Sequence, residues 1–350
     1  MTESQQSHRK DEHLSLGVHS WRQQPQIIGA TFDDVRWVPN ALPELTVQDV
    51  NTSTVMLNHR FSWPFYIEAM TGGSQKTTQI NQQLAEVALE TDLAMAVGSQ
   101  SIAIKEPDKR ESFKIVRKTH QDGFLIANLG ANHNIINVRN AIDMIDANAI
   151  ELHLNVAQEL TMSEHEGDRS FYWLDNIATI AAKSPVPVIV KEVGFGMSQA
   201  TFNLLQDTGV AAINVGGANG TNFAKIENRR NQDKLKLNLD NYGFSTVESL
   251  LDAKMSQNTL PLIATGGIQK IQDVITSLML GATLTSSAGY FLHTLVSKGQ
   301  DALVHTINEW QQNLPLIYAL LGAKNTSELQ SREFITSTTI DNFIQQRQKK

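Results

Sequence analysis

The sequence predicts an α/β protein built as a (β/α)8 TIM barrel. Short apolar, β-branched runs recur eight times between residues 65 and 289, with helical patterns between them. Each run ends in polar or glycine-rich residues, where barrel enzymes place their chemistry. An open doubly wound sheet is the alternative, but it usually carries fewer strands.

In order, the expected strands are Phe65–Met70, Ala94–Gly98, Phe124–Gly130, Ala149–Asn155, Val186–Val193, Ala211–Gly217, Pro261–Gly267 and Thr283–Gly289. The expected helices are Gln79–Thr91, Ser112–Thr119, Ile135–Ala147, Phe171–Lys183, Ser198–Thr208, Thr246–Lys254 and Ile271–Leu280. Gly209 and Gly281 read as helix stops. Leu295–Leu321 reads as helical and amphipathic, the eighth barrel helix or an oligomer contact. Residues 1–64 are read as an N-terminal extension and 65–350 as the barrel. Two connections are long: Leu160–Ser170, and an insertion after strand six, Ala218–Ser245. Loops of that length are usually lids or ordered insertions.

Composition narrows the function. A net charge of −7 argues against general nucleic-acid binding. The absence of Cys excludes disulfides, thiolate metal sites and a Cys nucleophile. No run is apolar enough for a bilayer span or a signal peptide, so a cytoplasmic location is expected.

The richest stretch is Glu151–Glu159. On a strand, Ile150, Leu152 and Leu154 share one face, and Glu151, His153 and Asn155 the other. Gln158 and Glu159 follow at the strand end. Any one of these reads as a satisfied core polar residue; together they read as a site, because so many buried polar groups are costly without a ligand or a full network. Lys191 sits in an apolar strand and suits an electron-rich ring or a substrate anion. Thr71, Ser99 and Asn128 stand at other strand ends as hydrogen-bonding candidates. Gly266-Gly267 and Ala288-Gly289 follow strands seven and eight, where these barrels hold phosphate.

These residues resemble the type 2, FMN-dependent isopentenyl diphosphate isomerases, over nearly the whole chain. The resemblance rests on Arg9-Lys10-Asp11-Glu12-His13, Ala69-Met70-Thr71-Gly72-Gly73-Ser74, Ala96-Val97-Gly98-Ser99, His153 with Asn155 and Gln158-Glu159, Lys191–Gly196 and Gly220-Thr221-Asn222. It implies conversion of isopentenyl to dimethylallyl diphosphate by proton addition and removal. Reduced FMN would serve as the acid–base group, NADPH as its reductant, and Mg²⁺ would sit on the diphosphate. Arg9, Lys10, His13, Ser99, His153, Asn155 and Gln158 would bind substrate, with Gln158 and His153 near the chemistry. Glu159 would hold Mg²⁺. FMN would be contacted by Ala69, Met70, Thr71, Ser99, Asn128, Lys191, Thr221, Gly266, Gly267, Ile268, Ala288 and Gly289. A homo-oligomer, tetramer or octamer, is also implied.

Two departures stand out. Many members carry Arg shortly after the Gly-Ser that matches Gly98-Ser99, and Ser where Gly216 stands. Both would weaken binding. Outside this reading lie a 2-hydroxy acid oxidase and a non-enzymatic flavin-binding protein. The oxidase chemistry wants a His base and Arg clamps near strands seven and eight, and residues 262–291 contain neither.

Overall fold

The computed structural model describes Ser15 and residues 27–162, 167–230, 237–256 and 258–348. The strands are β1 (Val35–Trp37), β2 (Thr54–Met56), β3 (His59–Phe61), β4 (Phe65–Ile67), β5 (Met95–Ala96), β6 (Leu125–Gly130), β7 (Ala149–Leu154), β8 (Val188–Glu192), β9 (Ala212–Asn214), β10 (Leu262–Thr265), β11 (Leu284–Ser287) and β12 (Phe334–Thr336). β4 to β11 pair in parallel and close on themselves, β11 joining β4. These are the eight expected strands, each trimmed at its ends, because ladder pairing stops before the apolar run does.

Outward-facing strand residues such as Ile150, Leu152 and Val190 are fully buried against the helix layer. The inside of the barrel is a second apolar cluster, and the β2–β3 hairpin plugs one end of it. Met56 and Phe61 from that hairpin meet Tyr66, Phe124, Ile189 and Leu284 near the strand starts. The plug closes the N-terminal mouth, so ligands are left the C-terminal one. β1 pairs antiparallel with β12, which ties residues 27–64 to the C-terminal end of the chain.

The expected helices form, with shifted ends. Gly209 (φ 78°) and Gly281 (φ 108°) lie in the left-handed region just past their helices. The helical stretch Leu295–Leu321 is divided: Gly299 (φ 92°) separates Gly289–Lys298, which follows β11 directly, from Gln300–Leu320. Gln158 and Glu159 follow the end of β7. A helix, Val156–Thr161, starts two residues after β7 with Asn155 at its N-cap.

Candidate active site

A cleft opens at the C-terminal ends of the barrel strands. Its narrow arm is walled by glycine backbone, including Gly217, Gly220 and the Gly266-Gly267 turn, with Ile268, Ala288 and Gly289. At Gly266 (φ 113°) a Cβ would lie 2.1 Å from the Gly217 carbonyl oxygen, so only glycine fits. The helix Gly289–Lys298 begins here with Ala288 at its N-cap and no side-chain cap. Its first amides are therefore left for an anion. Thr221 lines the same arm, and its Oγ1 is buried without a hydrogen-bond partner among the described residues. A glycine cradle, an uncapped helix start and an unmatched hydroxyl fit the phosphate end of FMN.

Ala69, Met70 and Lys191 line both this arm and a wider one of about 400 Å³, a size suited to a small ligand. Thr71, Ser99, Asn128, His153 and Asn155 line the wider arm. These side chains are fixed by one another. His153 Nδ1 lies 2.9 Å from Asn128 Oδ1; an amide oxygen only accepts, so Nδ1 carries the proton. Asn128 Nδ2 in turn donates to Glu151 Oε2 at 3.0 Å. Ser99, Ser101 and His133 form a further chain, with Asn137 donating to His133 Nδ1. Burial, helped by the charge of Lys105, holds His133 below the usual imidazole range.

Below the cleft, the barrel interior holds a charged layer. Glu68, Glu151 and Lys191 are all buried. Glu68 accepts from the Ala69 amide, Asn214, Ser286, Thr265 and Tyr66. Burial pushes its carboxyl up, but Lys191 and these donors outweigh that and hold it below the usual range. Burial, then the charge of Glu68, raises Glu151. Burial also lifts Glu192, next to Lys191, to about 8 against the amides of Phe195 and Gly196. Lys191 is thus matched by a carboxylate, which explains how the strand tolerates it.

The helix Val156–Thr161 packs on Phe223–Arg230, a helix inside the insertion after β9, with Ala157 and Ala224 in the contact. These small side chains let Gln158 reach Glu227: its amide donates to Glu227 Oε1 at 2.9 Å. Glu227 is 1% exposed and pairs with Arg230 through its other oxygen. Glu159 Oε1 accepts from Asn155 at 2.7 Å, and Oε2 from the Asp168 amide at 2.6 Å. Among the described residues no group of three His, Asp or Glu side chains could hold a metal. The donor set fits a Mg²⁺ that brings its own phosphate and water ligands and takes one carboxylate.

Comparison with known proteins decides the family. A model of the FMN-dependent dehydrogenase family matches residues 125–336. An isopentenyl-diphosphate delta-isomerase of Lactococcus lactis is 52% identical over 341 residues, 97% of each chain. Another, from Latilactobacillus sakei, is 44% identical over 99% of this chain and 97% of its own. The chain belongs to the FMN-dependent isopentenyl-diphosphate delta-isomerases. Among solved structures, a lactate oxidase from Pediococcus acidilactici aligns with a TM-score of 0.65 at 14% identity, covering 95% of this chain and 93% of its own. Flavocytochrome b2 aligns at 0.63 and 18%, covering 88% and 78%. At that identity the likeness is one of fold.

Within this isomerase the predicted site residues converge on the cleft, apart from Arg9, Lys10 and His13, which lie outside the described residues. Glu68 and Glu151 are buried on the strands, Glu192 lines the narrow arm from the end of β8, and Glu227 reaches Gln158 of the wide arm from the insertion. Gly216 is more than a missing contact. Its φ is 51°, and a Cβ would sit 1.9 Å from the Glu192 carbonyl oxygen. Gln100, in the Ser99–Ile102 segment that lacks an Arg, is fully buried and accepts from the Asn128 amide at 3.1 Å.

Proposed function

We propose that this isomerase transposes the double bond in the wide arm of the cleft, with FMN reduced in the narrow arm and the diphosphate held by Mg²⁺ on Glu159. The observation that carries the reading is the Gln158–Glu227 contact, a buried carboxyl placed behind a neutral amide. Protonating an alkene needs a strong, positioned acid and little water. Gln158 cannot be that acid, but its amide holds the Glu227 carboxyl in place and relays toward the wide arm. His153 is fixed by Asn128 in the wide arm, where it faces the substrate, and Asn155 orients Glu159. Bound reduced FMN supplies an electron-rich ring and a transferable proton with no net change in oxidation state. Lys191 provides the charge that favours an anionic ring. NADPH serves as the reductant, and Arg9, Lys10 and His13 bind the diphosphate.

The test is to load the protein with FMN, reduce it once anaerobically, and follow dimethylallyl diphosphate formation with Mg²⁺ present. Many turnovers per reduction are expected, and none with oxidised flavin. Consumption of one NADPH per product would turn the reading toward an ordinary oxidoreductase.

A further inference from the structure

Among the described residues, the charged layer in the barrel contains more carboxylate than its single cation can match. Two acids, Glu68 and Glu151, and one base, Lys191, are enclosed there. The acids are close neighbours, because one phenol touches both: Tyr66 Oη lies 3.2 Å from Glu68 Oε2 and 3.1 Å from Glu151 Oε1. The amide of Asn214 reaches the same two oxygens, at 2.7 and 3.5 Å. Two negative charges this close, enclosed with one lysine, leave an uncompensated buried charge, which is costly. A retained proton removes it, as in other carboxyl pairs.

The hydrogen bonds say where that proton sits. Asn214 and Ser286 both approach Glu68 at 2.7 Å, the Ala69 amide does the same, and Thr265 lies at 3.2 Å. Glu151 has only Asn128, the shared phenol and the distant amide of Asn214. The phenol has one hydrogen to give. Each atom finds a partner if Glu151 donates to Tyr66 and Tyr66 donates to Glu68.

We infer that Glu151 is held as the neutral carboxylic acid, hydrogen-bonded through Tyr66 to an ionised Glu68, and that this proton keeps a second negative charge away from Lys191, which faces an anion in the cleft. Glu151 is a positioning residue. Through Asn128 it also anchors His153, so the acid ties the flavin side of the cleft to the substrate side. The groups facing it are Tyr66 and Glu68 from β4, Asn128 from β6, Lys191 from β8 and Asn214 from β9. The shift in Glu151 has the same direction. The consequence for the cofactor rests on the flavin reading: ionising Glu151 puts a negative charge beside Lys191 and disfavours an anionic reduced ring.

Two experiments test this. In apoprotein carrying isotope-labelled glutamate, infrared spectra at neutral pH should show protonated carboxyl absorption that falls by one carboxyl in Glu151→Gln, with Glu192 supplying the remainder. In the FMN-loaded protein, the flavin midpoint potential plotted against pH should show an inflection that Glu151→Gln removes and Glu68→Gln moves to lower pH, because Lys191 then serves Glu151 alone. A band or an inflection that survives unchanged in Glu151→Gln overturns the assignment. If that variant does not fold, the Glu68→Gln comparison decides: an unshifted titration overturns it. The infrared arm needs no flavin, so a failure to bind FMN counts against the cofactor reading alone.

Discussion

Gln158 and Glu227 are 69 positions apart, yet the amide of the first donates to the carboxylate of the second at 2.9 Å. The pair joins the helix after β7 to the helix inside the insertion after β9. If Glu227 supplies proton-transfer capacity, Glu227→Gln removes it while keeping size and burial. Its kcat is expected to fall by about 10²- to 10⁴-fold, the usual worth of a general acid or base. The flavin spectrum should be unchanged. Wild-type kcat in this variant would reduce Glu227 to a structural partner of Arg230.

Glu159 offers a different readout. Glu159→Gln keeps an acceptor for the Asn155 amide but loses the charge that attracts Mg²⁺. The Mg²⁺ concentration for half-maximal rate should rise at least about tenfold, equivalent to about 1.4 kcal/mol. Identical Mg²⁺ titrations for variant and wild type would remove Glu159 from the ligand set.

Gly216 tests whether the departure from the family pattern can simply be reversed. In Gly216→Ser the backbone must leave φ 51° or press a Cβ into the Glu192 carbonyl. That carbonyl belongs to the residue after Lys191, and the Gly216 carbonyl itself accepts from the Gly194 and Gly196 amides. The variant should lose about 1–3 kcal/mol of stability, the cost of a strained backbone position, and bind FMN more weakly. Tighter flavin binding with an unchanged Tm would show that the turn relaxes freely.

How far the sequence could be read depends on where each signal lies. The strands were legible because buried parallel strands are apolar on both faces, and polar ends such as Thr71 and Ser99 punctuate them. Lys191 stood out as a charge in an apolar strand. Glu68 carries the same signal in Phe65–Met70 and could have been found the same way. Glu227 could not. It sits in Lys225-Ile226-Glu227-Asn228-Arg229-Arg230, which reads as a solvated helix face until tertiary packing buries it. The helix Val156–Thr161 was hidden because six residues are too few for a hydrophobic period to show.

Acidity should affect stability through Glu192, whose carboxyl is raised from 4.5 to about 8 by burial. Its folded-state pKa exceeds its unfolded one, so it binds its proton more tightly when folded. The stability it contributes is fully present below about 4.5 and is lost as pH rises through about 8. Tm of the apoprotein should therefore drift down across that window, and Glu192→Gln should reduce the drift, the remainder coming from Glu151, which burial raises in the same direction. An equal slope in the variant would place the responsible group elsewhere.

The diphosphate sets the last expectation. Among the described residues, the Lys and Arg side chains lining the wide arm are Lys105 and Lys191. Lys105 is exposed, and Lys191 is assigned to the flavin side of the cleft. A diphosphate monoester carries up to three negative charges and Mg²⁺ on Glu159 nets one positive charge, so with Lys105 screened by solvent the anion stays under-neutralised. The resemblance assigns the remaining charge to Arg9 and Lys10. Charge-assisted hydrogen bonds are worth about 1.5–3 kcal/mol each, or roughly 10- to 150-fold in affinity. Replacing both with Ala should raise KM for isopentenyl diphosphate by at least about tenfold, allowing for incomplete additivity. The flavin spectrum and Tm should stay at wild-type values, because the resemblance assigns both residues to the substrate and neither to the flavin. Wild-type KM in the double variant would leave the anion to Mg²⁺, Lys105 and the histidines of the cleft.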